Sequence, residues 1–251
     1  MAMDEAIARS VRKGLAPPTL RVYGWKRSSV SIGRFQKIGD IDTDYCTKMH
    51  IPVMRRPTGG RAILHGHEVT YSFSVKTGAG IFSRGLYDSY REISVALGHA
   101  LGQVGIDHEM NHERESHRTS ERERGLKNPL CFQSTSYGEI TVHKRKVIGS
   151  AQKRWPDALM QQGCIPFTVD TTTTAKVFRH ATGTVRDIRD GGLLAIAPGI
   201  TPLSLKCALR TAFEETFGVG LIPSPVSQEE HHLAAELEAD KYLSDGWIFK
   251  I

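Results

Sequence analysis

The clearest pattern of polar and apolar positions in the chain is a strict alternation at residues 69–75. Apolar and hydroxyl residues follow one another there, in the order Val69, Thr70, Tyr71, Ser72, Phe73, Ser74 and Val75. A period of two is typical of a strand with one buried face. Upstream, Gly59-Gly60 separates a basic segment from a short apolar run. Residues 55–75 are therefore predicted to form a strand, a glycine turn and a second strand, with His65 between them.

Several other segments show the period of a helix, with apolar residues three or four positions apart. A helix is predicted for residues 3–12, ended by Gly14, and a short one for residues 41–49. Three more are predicted further along: residues 87–104 with Tyr87 on the apolar face, residues 202–217 stopped by Gly218, and residues 228–242. The threonine run Thr171–Thr174 is interpreted as a loop that ends in a helix N-cap.

The remaining ordered segments are predicted to be strands. They include two short strands near Leu20 and Val30, one at residues 51–56, two around a basic turn at residues 137–153, and one at residues 159–169. No repeat and no polar linker divides the chain. We therefore expect one α+β domain over residues 1–251, with mostly antiparallel sheets flanked by helices.

The glycine turn allows two interpretations. It is either a tight hairpin whose glycines supply positive φ, or a backbone nest whose amide groups hold an anion or a carbonyl oxygen. The spacing of a P-loop and that of a dinucleotide-binding turn are both absent. The turn by itself does not decide between the two interpretations.

Composition and charge narrow the class of protein. The chain has 251 residues, is 39% hydrophobic and 24% charged, and carries a formal net charge of +6. It has no apolar run of membrane-spanning length and no secretory leader pattern, so we expect a cytoplasmic protein. The basic balance favours an acidic partner, either a protein or nucleic acid. Residues 112–127 mix Glu with Arg and are interpreted as a solvated loop.

The cysteines point to free thiols. The chain has four, Cys46, Cys131, Cys164 and Cys207, and none belongs to a CxxC or Cys/His ligand spacing. Neither a metal site nor a disulfide framework is predicted from that spacing. Cys46 is interpreted as a small buried hydrophobic residue.

The chain resembles the lipoate-protein ligase and octanoyltransferase superfamily, which shares its catalytic fold with biotin protein ligase. The resemblance covers almost the whole chain. Within the superfamily, the chain is most similar to the octanoyltransferase branch. It is carried by MDEAI at Met3, LRVYGW at Leu20, SIGRFQ at Ser31, RRPTGGRAILH at Arg55, CFQSTSYGEI at Cys131, KVIGSAQKR at Lys146 and KYLSDGW at Lys241. The glycine-arginine motif of biotin ligases is absent.

The resemblance implies an enzyme that moves octanoate from acyl carrier protein to a lipoyl domain such as glycine cleavage H protein. Cys131 would be the nucleophile, because a cysteine divides acyl transfer into two easier steps through an acyl-enzyme. Lys146 would polarise the acyl carbonyl and stabilise the oxyanion. On the residues alone, Cys131 is also consistent with a buried inert thiol, and Lys146 with a solvated basic turn.

Other residues are expected around the acyl chain. His65 is either a general base, since an unperturbed histidine titrates near neutral pH, or a hydrogen-bonded structural residue. The predicted lining of a narrow apolar slot consists of Arg56, Gly59, Gly60, Ala62, Tyr71, Phe73, Gly149, Ser150 and Ala151. Neither metal nor ATP is required, and neither nucleic acid nor a membrane is an expected partner.

The chain departs from the family pattern in two places. Gln162 and Cys164 replace a histidine and a serine after the GSA element, so Cys164 is a second candidate thiol. We expect it to face the pocket without acting as the nucleophile. The acidic residue that usually follows the histidine turn is also missing, since Gly66-His67 stands there before Glu68.

Two alternatives within the family stay open. One is an ATP-dependent lipoate or octanoate ligase, in which Lys146 and the glycine turn would bind an acyl-adenylate. The other is an amidotransferase that moves octanoyl between lipoyl domains. From a different class, a catalytically silent module that binds a carrier protein or nucleic acid is also consistent with the basic charge.

Overall fold

The computed structural model describes residues 1–78, 80–111, 138–179 and 192–250. The fold is α+β, as predicted. The helices are α1 (Ala2–Lys13), α2 (Thr43–Lys48), α3 (Leu86–Gln103), α4 (Thr171–Val177), α5 (Pro202–Phe217), α6 (Gln228–Leu237) and α7 (Asp245–Ile248). The strands are β1 (Thr19–Tyr23), β2 (Ser29–Ile32), β3 (Val53–Arg55), β4 (Ile63–His65), β5 (Glu68–Lys76), β6 (Glu109–Met110), β7 (Ile140–Val142), β8 (Arg145–Lys146), β9 (Gly149–Arg154) and β10 (Ala158–Pro166).

The largest sheet has four strands in the order β1-β5-β10-β9, and all its pairs are antiparallel. The alternation in β5 is confirmed. Val69, Tyr71, Phe73 and Val75 belong to the main apolar core, which also contains residues of α3 and α5. α1 lies against the opposite face, where Gln162 of β10 donates to Asp4 of α1. One face of β5 therefore builds the core, and the other faces α1.

The segment around the glycine turn is not a hairpin. β3 and β4 both pair with β2, in the order β3-β2-β4, with β3 parallel and β4 antiparallel to it. β5 belongs to the other sheet. The hairpin interpretation was wrong because β2, contributed by an earlier part of the chain, occupies the place between the two strands.

The glycine turn approaches β2 so closely that side chains do not fit. A Cβ atom on Gly33, just after β2, would lie 1.8 Å from the carbonyl oxygen of Gly60. Gly60 itself has a φ of +84°, a conformation that glycine adopts at little cost. Close backbone contact, rather than hairpin geometry, explains these two glycines.

The predicted helices are present, with three corrections. The threonine run is not a loop but the first turn of α4. Asp170 is the N-cap of this helix, and its carboxylate accepts a hydrogen bond from Thr173 N–H at 2.9 Å. α6 ends at Leu237 and continues as a π-helical turn, Glu238–Tyr242. Tyr87, expected on the apolar face of α3, is 38% exposed because it lies in the first turn of that helix.

The basic turn between β7 and β8 has the conformation of a tight hairpin. His143 and Lys144 both have positive φ, at 49° and 62°, as in the two-residue turns that match strand twist. Two strands flank the basic turn, as predicted, but the predicted range also contains a third strand, β9, which belongs to the four-stranded sheet. β6, β7 and β8 form a third sheet. None of the described helices is long and apolar enough to cross a membrane.

Two smaller clusters complete the core. One packs the β3-β2-β4 sheet against α2 and the end of α4, and it buries Cys46. Burial raises the pKa of the Cys46 thiol to about 11, so this cysteine is the inert buried residue that was predicted. The other cluster joins α1 to α6 and to the π-helical turn. Cys131 and residues 112–127 lie outside the described residues.

Candidate active site

A small cavity lies between the four-stranded sheet and the β3-β2-β4 sheet. Five of the residues predicted from the sequence line it, namely Arg56, His65, Gly149, Ser150 and Ala151. Cys164 lines it too, as expected. The other lining residues are Met1, Tyr23, Ser31, Ile63, Thr70, Gln162 and Gly163.

Arg56 is 4% exposed and is held by backbone oxygens. Its guanidinium donates to the carbonyls of Gly59 at 2.8 Å and Arg61 at 2.6 Å, and to Ser31 Oγ at 3.1 Å. In these contacts the glycine turn presents carbonyl oxygens to a cation. The nest considered above would instead present amide groups to an anion. The turn therefore fixes the position of Arg56 in the cavity wall.

Gly59, Gly60 and Ala62 do not line the cavity. Gly59 is half-buried and Gly60 is exposed, and Ala62 is fully buried in the cluster of the β3-β2-β4 sheet. The lack of side chains on the two glycines predicts a close approach of the backbone to the acyl carbonyl. A substrate role for them stays a prediction, and the contact through Arg56 is the link that the structure provides.

His65 is hydrogen-bonded through both ring nitrogens. Nε2 lies 2.7 Å from Ser31 Oγ, and Nδ1 lies 2.8 Å from Glu68 Oε1. The ring also stacks on Trp25, with 4.1 Å between centroids. Glu68 therefore supplies a carboxylate to His65, although Gly66-His67 stands where the family pattern has an acidic residue. A carboxylate on Nδ1 is how a histidine is oriented in catalytic triads, and it equally suits a structural histidine.

Tyr71 and Phe73 lie on the core side of β5 and do not line the cavity. The Tyr71 hydroxyl lies 2.7 Å from Ser150 Oγ and accepts from Gln161 Nε2 at 3.0 Å. Burial raises the pKa of Tyr71 to about 12, so the phenol stays protonated. Phe73 packs on Phe82, Phe213 and Phe217 instead. Odd-numbered residues of β5 face the core, so Tyr71 contacts Ser150 from the core side of the sheet.

Lys146 is a buried cation. It is 6% exposed, and its Nζ lies 2.5 Å from Glu139 Oε1, a residue that the sequence analysis did not single out. The neighbouring Lys144 and Arg145 are exposed, so the solvated-turn interpretation of Lys146 is wrong. Lys146 does not line the cavity, but Gly149, three residues later, does. Glu139 lies within the family-like CFQSTSYGEI motif, which was the available signal.

A buried carboxylate organises the floor of the cavity. Asp4 of α1 accepts from Arg21 Nη1 at 2.6 Å, Tyr23 O–H at 2.8 Å and Gln162 Nε2 at 2.7 Å. Gln162 Oε1 in turn accepts from Thr58 Oγ1. Tyr23 and Gln162 both line the cavity. This group could not be predicted from the sequence, since its members come from separate segments with no shared spacing.

The residues that line the cavity all lie within the part of the chain that matches a known family. Residues 1–192 match the model of the lipoyl protein ligase A/B catalytic domain. The chain belongs to that family. It is 35% identical over 263 residues to a protein named octanoyltransferase LipM of Kyrpidia tusciae, with 100% of this chain and 93% of the relative covered. It is 33% identical to octanoyltransferase LipM of Bacillus subtilis (strain 168), with the same coverage.

Solved structures of similar fold are lipoate-protein ligases. The structure of lipoate-protein ligase A bound with ATP has a TM-score of 0.81 at 23% identity, covering 99% of this chain and 92% of that one. A bipartite lipoate protein ligase from Thermoplasma acidophilum, studied with its E2 lipoyl domain, has a TM-score of 0.79 at 22% identity, with coverages of 99% and 89%. At such identity these neighbours establish the fold, and the predicted fold class is confirmed.

Proposed function

We propose that the chain transfers octanoyl from acyl carrier protein to a lysine of a lipoyl domain, such as glycine cleavage H protein, through an acyl-enzyme on Cys131. The transferase activity itself rests on full-length similarity to octanoyltransferases, and the chain is an octanoyltransferase of lipoate biosynthesis. The route through Cys131, the donor, the acceptor and a cytoplasmic location are the proposal. Neither ATP nor metal enters this reaction.

The observation that supports this proposal best is the composition of the cavity wall. The small residues Gly149, Ser150 and Ala151 face Arg56 and His65 across one space. Small residues leave room for an unbranched apolar chain, whereas Arg56 and His65 supply polar groups at one side. A mostly apolar pocket with a few convergent polar groups is the usual form of a small-molecule site.

The reaction proceeds in two balanced steps. The Cys131 thiolate attacks the acyl carbonyl, the carrier's thiol leaves with a proton, and a thioester to Cys131 results. The acceptor lysine amine then attacks that thioester, releasing Cys131 and forming the amide. The Lys146 ammonium, paired with Glu139, stabilises the oxyanion of both steps. His65, oriented by Glu68, accepts the proton that the amine loses.

Intact-mass measurement tests the acyl-enzyme. Incubation with octanoyl-acyl carrier protein, without ATP, is expected to add one octanoyl group to the chain. Cys131→Ser should abolish the adduct, and Cys207→Ser, which removes an exposed thiol, should retain it. An adduct that persists in Cys131→Ser would contradict the proposal, as would acylation that requires free octanoate and ATP with release of pyrophosphate.

A further inference from the structure

Three metal-ligating side chains meet at one end of the cavity. The ligand atoms of His65, Glu68 and Cys164 all lie within 4.8 Å of one another, and the three residues are buried. Strand pairing explains the arrangement. Cys164 of β10 stands opposite Thr70 of β5, and Glu68 is two residues before Thr70, so the period of two puts all three on one face. β4 brings His65 to the same face from the other sheet.

Neighbouring side chains orient both His65 and Glu68 through hydrogen bonds and ring stacking. Glu68 Oε1 accepts from Thr70 Oγ1 at 2.5 Å, and Thr70 Oγ1 accepts from Trp25 Nε1 at 2.9 Å. Trp25 also stacks on the His65 ring. On the far side of that ring, Nε2 faces Ser31 Oγ. Metal ligands are typically oriented in this way, by a second hydrogen-bonded layer.

We propose that His65, Glu68 and Cys164 form a binding site for one thiophilic divalent cation such as Zn²⁺. The donor set is one nitrogen, one oxygen and one sulfur, which suits zinc better than magnesium or calcium because thiolate is a soft ligand. Three protein ligands leave the fourth tetrahedral position open to the cavity, which His65 and Cys164 both line. The proposed acyl transfer does not use this cation, but it uses His65 as a base and Glu68 to orient that base, so a bound cation would occupy both residues and block that role.

Metal binding releases one proton and moves another. The Cys164 thiol loses its proton to solvent and bonds to the metal as thiolate. The cation replaces the hydrogen bond between His65 Nδ1 and Glu68 Oε1, which are 2.8 Å apart. His65 then carries its proton on Nε2 and donates it to Ser31 Oγ. Thr70 keeps its bond to Glu68.

Cobalt substitution tests the site without reference to catalysis. The metal-free protein is titrated with Co²⁺, and the thiolate-to-cobalt charge-transfer absorption is recorded, followed by displacement with Zn²⁺. We expect saturation at one Co²⁺ per chain. Cys164→Ser should abolish the absorption, whereas Cys207→Ser, Cys46→Ser and Cys131→Ser should leave it unchanged. Retention of the absorption in Cys164→Ser would overturn the proposal.

A second variant separates loss of a ligand from loss of the fold. Glu68→Gln keeps a hydrogen-bond acceptor for Thr70 and keeps the thiol, but it removes the charged ligand. Loss of an outer partner alone typically costs about 10- to 100-fold in metal affinity, so Co²⁺ affinity should fall at least that far while the charge-transfer absorption survives at high Co²⁺. Unchanged affinity in Glu68→Gln would contradict the assignment. The same is true if the wild-type chain shows no charge-transfer absorption at a tenfold excess of Co²⁺.

Discussion

Lys146 and Glu139 form an ion pair in which both side chains are almost inaccessible to solvent, at 4% and 7% exposure. Removal of one member of such a pair leaves the other charge buried without its main partner, which is costly. The pair therefore holds the ammonium in a fixed place next to the strand that lines the cavity. At this scale, a residue's role depends on its partner, and the partner is not adjacent in sequence.

Lys146→Met is expected to lower the free energy of unfolding by about 3 kcal/mol and to abolish octanoyl transfer. The double variant Lys146→Met/Glu139→Leu should regain most of the stability, since no charge is left buried, but none of the activity. Urea unfolding and the transfer assay give the two readouts. Transfer at wild-type rate in the stable double variant would show that the ammonium has no catalytic role.

Gly33→Ala tests the close approach of the glycine turn to β2. The added methyl would lie 1.8 Å from the Gly60 carbonyl oxygen, so the turn must move, and we expect a loss of about 2–3 kcal/mol in urea unfolding. Gly39→Ala is the matched control, because a Cβ there meets nothing within 4 Å. Equal stability of the two variants would contradict the packing argument.

At the scale of elements, α1 is attached to the rest of the molecule by buried carboxylates. Asp4 bonds to β1 and β10, and Glu5 accepts from Lys241 Nζ at 2.5 Å and Tyr242 O–H at 2.6 Å in the π-helical turn. Burial raises the pKa of Glu5, but the hydrogen bonds from Lys241, Tyr242 and Arg9 outweigh burial and lower it to about 2. Docking of α1 is therefore sensitive to pH.

The sign of that dependence follows from the lowered pKa. Protons bind Glu5 more tightly in the unfolded chain, so its contribution is complete above pH 4.5 and is lost as the pH falls through about 2. Glu5→Gln should cost about 2 kcal/mol at pH 7, and the difference from wild type should shrink between pH 5 and about 2. Unfolding is measured across that range, with the exposed Glu229→Gln as control. A constant difference would refute the argument.

At the scale of the whole molecule, Arg55 joins segments that are far apart in the chain. It is fully buried, and its guanidinium donates to the carbonyls of Gly33 and Gln36 near β2 and of Trp247 and Ile248 in α7. Trp247 Nε1 returns a bond to the Arg55 carbonyl at 2.8 Å. The C-terminal helix is thereby fixed beside the loop that follows β2.

Arg55→Lys should detach α7, because an ammonium cannot reach carbonyls on two sides as a planar guanidinium does. We expect a loss of about 3 kcal/mol in global stability, together with faster amide exchange at residues 245–249. Arg27→Lys, at an exposed position, is the matched control. If exchange in α7 stayed as slow as in wild type, Arg55 would not be the residue that holds the helix.

Much of the fold and part of the candidate site could be predicted from the sequence alone. The alternation in β5, the helical periods of α1, α3 and α5, the glycines and the ordered family motifs are local signals, because secondary-structure period and backbone sterics act over a few residues. They predicted the fold class, the enzyme family and five residues of the cavity wall, and they predicted that Cys164 faces the cavity.

Only the tertiary structure decided which of these residues meet. β2 separates β3 from β4, so the glycine turn is not a hairpin, and its carbonyl groups hold Arg56. Tyr71 lies on the core side, and Glu139, Asp4 and Glu68 supply carboxylates that no spacing had linked to the site. The physical reason is that charge pairing and close packing depend on distance in space, which sheet order sets and sequence separation does not.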